Sequence, residues 1–302
     1  MRYPRCSVLL SLSLLTAAFP RAHGQESRAP LEFRRLATWA DARLRESSGV
    51  AVSRQHPGLL WTHNDSGDGP YLYLTDTTGA LRATFEVAGA RAVDWEALAI
   101  GPCAPPQWRA RTCLYIADTG DNAERRTRVV VYAVPEPESL PPDDRHRRST
   151  DAARALRLRY PDHPRDAEAL VALDNGRLAL VTKGRTGAVL RYEIPPQAWL
   201  EDELVLADPD SLPIEPQVVL GRWVTDAAAA PDGVHVVVRT YTEVFRFRLG
   251  QRWVAAGPPC RLGLVEPQGE AVGFLDEDRM ILTSEQARGD AGGITLVRCD
   301  WN

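Results

Sequence analysis

The sequence predicts an all-β protein, a single β-propeller of five blades whose ring is closed by an N-terminal strand. Three observations lead there. Short apolar, β-branched or aromatic runs bounded by Gly, Asp, Asn and Pro recur along the chain, while long helical periodicity is scarce. A unit also repeats: Asp94-Trp-Glu-Ala-Leu-Ala, Asp166-Ala-Glu-Ala-Leu-Val, Thr225-Asp-Ala-Ala-Ala-Ala and Gly269-Glu-Ala-Val-Gly-Phe each set an acid before a small-apolar strand. Ser47-Ser-Gly-Val-Ala-Val is a weaker fifth copy. After every copy come a turn, a second strand and a third, the strand economy of a propeller blade.

Taken in order, the chain opens with Arg2 and Arg5, an apolar run over 6–19 and small residues at Ala22 and Gly24, the pattern of a secretory signal peptide ending at residue 24. The run is short for a membrane span, and no second stretch of about 18 apolar residues follows. Cys6 lies early in the run, away from a lipid-anchor position. The expectation is an exported protein, periplasmic or secreted, with residues 25–302 forming the propeller. Residues 31–38 read as a strand that precedes the first unit and completes the last. Second strands are expected at 59–63, 114–117, 178–181, 235–238 and 280–283, third strands at 71–75, 129–134, 188–194, 244–248 and 294–298, and an outer strand at 155–160. Closing the ring with the N-terminal strand removes exposed sheet edges. Six blades is the alternative count. A flattened sandwich would not produce the repeat.

Composition narrows the function. With 36 basic and 40 acidic side chains, a net charge of −4 and 44% hydrophobic content, the chain is neither disordered nor equipped with a basic field for nucleic acid. Lys183 is its single lysine. After export four cysteines remain, an even number in an oxidising compartment. Local closure pairs Cys103 with Cys113 across a Pro-Pro loop, which leaves Cys260 for Cys299. No CxxC or histidine at ligand spacing supports a metal reading of these cysteines.

In a propeller the first strands line a central channel, so equivalent positions converge near its axis. The repeat assigns Ser48, Glu96, Glu168, Asp226 and Glu270 to those positions. Four carboxylates at one mouth repel unless a cation, arginines or protons intervene. Calcium, with six to eight oxygen ligands in loose geometry, is the economical cation, and bonds to neighbouring blades' amides are the alternative. The loops after the second strands add Asp65-Ser-Gly-Asp68, preceded by Asn64, and Asp118-Thr-Gly-Asp121-Asn122. The same loops carry Lys183 and Arg185 in the third unit, Arg239 in the fourth and Glu285 in the fifth, with Lys183 at the position of Thr119. These predict a mixed-charge face: Glu96, Glu168, Asp226 and Glu270 as metal ligands, Lys183 and Arg239 as cations for a small anionic substrate. No nucleophile elbow, metalloprotease motif or phosphate-cradling glycine loop occurs. Ser66 reads as turn polarity, and Trp61 and Trp95 as blade packing.

The segments Leu60-Trp-Thr-His-Asn-Asp-Ser-Gly-Asp68, Val93-Asp-Trp-Glu-Ala-Leu98, Ile116-Ala-Asp-Thr-Gly-Asp-Asn122 and Arg165-Asp-Ala-Glu-Ala-Leu170 resemble a family of exported bacterial β-propeller proteins. That family is distantly similar to calcium-dependent phosphotriesterase, gluconolactonase and phytase-like propellers. The resemblance implies a propeller with acids at the channel mouth and calcium there, falling on Glu96, Glu168, Asp226 and Glu270. Two functions are then expected of this fold, which hosts both: hydrolysis of phosphate esters, esters or lactones, in which carboxylates such as Glu96 and Glu168 hold metal and activate water while Lys183 and Arg239 bind the anionic group, or noncatalytic binding of a protein, glycan or small ligand in the envelope. No matching catalytic histidine pair and no full set of phytase phosphate-binding motifs is present.

Overall fold

The computed structural model describes residues 26–108, 111–141, 147–217, 219 and 221–302. The segment 1–24, expected as a signal peptide, lies outside them. Among the described residues the regular structure is strands and two 3-10 turns, and the strands form five mainly antiparallel sheets arranged as propeller blades. The inner strands are Ser47–Val52, Trp95–Pro102, Ala167–Ala172, Val224–Ala229 and Gln268–Phe274. Each packs against the next, and the fifth against the first, so the ring closes. The second strands Leu59–Asn64, Thr112–Asp118, Leu178–Thr182, His235–Thr240 and Arg279–Glu285 cover the expected segments and extend them by a residue or more.

Closure follows the expected route. Glu32–Thr38 pairs antiparallel with Gly293–Arg298, with Phe33 opposite Val297, and so supplies the outer strand of the fifth blade. The loop over 138–150 carries a short strand, Arg148–Ser149, which adds in parallel to the edge strand Leu81–Glu86 of the first blade.

Why these residues hold this ring is visible in where their side chains go. Strand side chains alternate between faces, and in a propeller both faces of each blade meet a neighbour. The apolar core is therefore five wedges, one per seam. Trp61, Phe85 and Leu72 of the first blade meet Trp95, Leu114 and Ile116 of the second. Tyr115 and Val131 meet Leu178 and Tyr192 at the next seam. Val181 and Val189 meet Val236 and Phe247, Val237 and Val244 meet Val272 and Leu282, and Ala271 and Ile281 meet Val50 and Leu60.

Two disulfides fasten this frame. Cys103–Cys113 closes the hairpin between the inner and second strands of the second blade, and Cys260–Cys299 ties the edge of the fourth blade to the end of the fifth. They accord with an oxidising compartment. No helix among the described residues is long and apolar enough to cross a membrane.

Candidate functional site

Each inner strand begins with a β-bulge. The register against the second strand slips between Ser47 and Gly49, Trp95 and Ala97, Ala167 and Ala169, Val224 and Asp226, and Gly269 and Val272. A bulge leaves one residue out of the ladder and re-aims its side chain. Counting from that slip, the bulged ring is Ser48, Glu96, Glu168, Thr225 and Glu270. The residues leaving the second strands are Asp65, Thr119, Lys183, Tyr241 and Glu285. Those two positions before each bulge are Glu46, Asp94, Asp166, Trp223 and Gln268. The mouth is thus built from three rings, with acids on four blades and an uncharged sector of Trp223, Thr225 and Tyr241 on the fourth.

The acids converge. Asp65, Asp94 and Glu96 place one oxygen each within 4.8 Å of one another, and Glu96, Asp166 and Glu168 do the same, so Glu96 belongs to both triads. Lys183 Nζ donates to Glu168 Oε1 at 2.7 Å. Gln268 bridges the remaining pair, donating to Glu270 Oε1 and Glu285 Oε2 at 2.8 Å each. Burial is nearly complete: Glu96 is 5% exposed, Glu168 1%, Glu270 4% and Lys183 7%.

Desolvation penalises charged carboxylates, and like charges nearby add to the penalty. Burial, with Asp65 beside it, lifts Asp94 to about 6. Glu96 and Glu168 are held well above the ordinary carboxylate range, first by burial; Glu168 opposes ionisation of Glu96, while Lys183 favours ionisation of both. Burial raises Glu270 to about 7, and burial with the Glu270 charge raises Glu285 to about 9. Burial works against the Lys183 charge too, but Glu168 outweighs it and holds the ammonium protonated.

The donor set fits a hard divalent cation such as calcium. Every candidate ligand atom in the two triads is a carboxylate oxygen, and loose oxygen-only geometry is what calcium accepts. Gly120 lies against this cluster so closely that a Cβ there would overlap the Glu96 and Asp94 carboxylates.

Several expected site residues are placed elsewhere. Asp226 follows the bulge that the repeat assigned to it, and Thr225 occupies the ring. Asp226 Oδ2 accepts from the Val272 amide at 2.9 Å in the seam between the fourth and fifth blades, so it does not join the other three acids. Arg239, opposite Asp226 in register, is wholly buried. Its Nη1 donates to the carbonyls of Ala271 at 2.6 Å and Thr283 at 2.9 Å, and its Nη2 pairs with Glu266. It is a staple between blades, withdrawn from any ligand. His63 stands at the equivalent position of the first blade, buried in the next seam edge-on to the Trp95 ring at 5.5 Å.

The two Asp-x-Gly-Asp loops are also offset by one residue, since Asn64, not Asp65, matches Asp118 in register. Asp118 is paired with Arg126 at 2.8 Å and accepts from the Asp94 amide at 3.2 Å. Asp121 accepts from the Arg126 amide at 2.6 Å and donates its own amide to Asp166 Oδ1 at 2.9 Å. Arg185 spans Asp166 Oδ2 at 2.5 Å and Asn122. Asn64 Nδ2 and the Tyr73 hydroxyl both donate to Asp68 Oδ2 at 2.8 Å. Asp68, Asp118, Asp121, Asn64 and Asn122 therefore build the loops, and of the four aspartates in the two loops Asp65 alone belongs to a carboxylate triad. Sequence reasoning did not assign Asp94, Asp166, Gln268, Trp223 and Tyr241 to the site. The Asp-x-Glu spacing in Asp94-Trp-Glu96 and Asp166-Ala-Glu168 was the available signal, because a bulge at the glutamate brings both acids to the mouth.

No protein-family model and no curated protein matches the chain. Among solved structures, the catalytic domain of a GH62 α-L-arabinofuranosidase from Coprinopsis cinerea aligns with a TM-score of 0.53 at 11% identity, covering 89% of this chain and 98% of that one. The PQQ-bound aldose sugar dehydrogenase from Streptomyces coelicolor aligns with a TM-score of 0.49 at 16% identity, covering 90% and 99%. At 11% identity the likeness to the arabinofuranosidase domain is one of fold.

Proposed function

We propose that the protein is an exported hydrolase that holds calcium at its channel mouth and acts on phosphate esters, carboxylic esters or lactones. The observation that supports this most is the pair of oxygen triads sharing Glu96, set directly beside the protonated Lys183. Asp65, Asp94, Glu96, Asp166 and Glu168 would hold the ion, which when bound polarises an ester oxygen and acidifies water. Lys183 and Arg185 bring positive charge to the same mouth, suited to an anionic group of the substrate or to charge that develops on it. Trp223 and Tyr241, both half-buried, give the substrate's apolar part a sector free of acids.

The test is metal analysis of the purified mature protein, followed by turnover on a panel of phosphate monoesters and diesters, carboxylic esters and lactones before and after chelation. Stoichiometric calcium and activity lost both on chelation and in Glu96→Gln are expected. A protein that retains no calcium and whose melting ignores chelator sinks the proposal. The near-complete burial of Glu96, Glu168 and Glu270 favours a second reading, a noncatalytic envelope propeller whose ion is structural. Calcium-dependent melting with no turnover across the panel would select it.

A further inference from the structure

At the end of the channel opposite the acids, the inner strands line a cavity of about 390 Å3 that opens to solvent. All five blades line it. Its walls mix polar groups with apolar side chains, Val50, Leu98, Leu170 and Phe274 among them, and its volume comes from small residues. The inner strand of the fourth blade ends in a run of alanines, Ala227 to Ala230, and Gly273 faces the cavity from the fifth. Alanine and glycine are poor strand formers.

Gly273 is not demanded by its surroundings. Its φ is not positive, and a Cβ would meet Val50 only at ordinary contact distances of 3.4 and 3.5 Å. A void of this size kept open by residues that could be larger is within the range of small-molecule pockets, about 300–1,000 Å3.

Two charged side chains line the cavity, Arg54 from the first blade and Asp174 from the third. The Arg54 backbone is held in place, its amide donating to the buried Glu136 Oε1 at 3.1 Å beside the Ser53 hydroxyl at 2.5 Å. Its guanidinium has no acidic partner among the described residues and makes one long contact, Nη2 to the Ile100 carbonyl at 3.4 Å. Arg54 is exposed at the cavity, and its guanidinium fork matches a carboxylate in geometry and charge. Asp174, at the turn beside Gly233, opposes a second negative charge.

We propose that this cavity binds a small amphiphile with an apolar body and one carboxylate, the body among the alanines and the head on Arg54. The site is separate from the acidic mouth and does not depend on its function. Calorimetric titration of the mature protein with octanoate, 1-octanol and octylamine tests it, since the three share a chain and differ in head group. Octanoate should bind most tightly. Arg54→Gln should weaken octanoate by about tenfold or more, as loss of a hydrogen bond to a charged group does, and leave octanol unchanged. Ala228→Leu and Ala229→Leu, which fill the cavity from either side of one strand, should each abolish binding of all three, and either suffices if the other fails to fold. No binding by any of the three overturns the proposal. So does octylamine binding tightest, an Arg54→Gln protein that keeps its preference for octanoate, or undiminished binding in a folded cavity-filled variant.

Discussion

Lys183, the only lysine in the chain, lies 2.7 Å from Glu168 in a mouth where both are almost fully buried. Removing one partner of such a pair strands the other charge away from water, which costs about 3–5 kcal/mol. Lys183→Met should lower unfolding free energy by about that much, and adding Glu168→Gln should recover much of the loss. Denaturant titration of the two single variants and the double measures it. The neighbouring acids set a pH dependence. Asp94, Glu270 and Glu285 have folded-state pKa values of about 6, 7 and 9, above their ordinary values. Between the ordinary and raised values the folded state binds more protons than the unfolded chain, so stability falls as pH rises. Chelated protein should therefore lose melting temperature from about pH 4 to about pH 9. Calcium-loaded protein should hold nearly level, because the ion stabilises the ionised carboxylates. A chelated protein whose melting rises steadily across that range would contradict the burial argument.

The strands were legible in the sequence because short apolar runs between turn residues need no knowledge of neighbours, and all five inner strands lie where the repeat placed them. The bulge was not legible. It inserts one residue without changing the pattern of apolar and polar positions, so aligning acid with acid put Asp226 in the ring where Thr225 stands. The same slip brought Arg239 to the mouth in expectation, although it spans the seam between the fourth and fifth blades and pairs with Glu266. Glu96, Glu168 and Glu270 were found because each is itself the bulged residue, while Asp94 and Asp166 were overlooked two positions earlier. The staple gives a clean separation of roles. Arg239→Met should destabilise the fold by about 3–5 kcal/mol, because Glu266 stays buried without its cation. Asp226→Asn should leave calcium affinity unchanged in a titration, whereas Glu96→Gln should weaken it. A matching loss in Asp226→Asn would return that residue to the ion.

As a whole molecule, the propeller depends on how its ends are tied, since every blade is held by its two neighbours and an open ring leaves a sheet edge unpaired. Glu32–Thr38 completes the fifth blade, and just before it the Arg28 amide donates to the Pro259 carbonyl at 2.8 Å while the Arg261 amide donates to the Arg28 carbonyl at 2.6 Å. Cys260–Cys299 lies at this junction, so one covalent link pins the fourth blade's edge, the chain end and the closing segment. Its sequence separation is 39 residues, against 10 for Cys103–Cys113. Loop-closure entropy alone assigns about 4 kcal/mol to the longer link and about 3 to the shorter. The longer link also guards the closure, so its loss should act beyond entropy. Replacing Cys260 and Cys299 by Ser should lower the denaturant midpoint more than replacing Cys103 and Cys113, and should expose 32–38 to proteolysis under native conditions. Equal midpoints for the two double variants, with the N-terminal strand still protected, would show that hydrogen bonds to Gly293–Arg298 close the ring unaided.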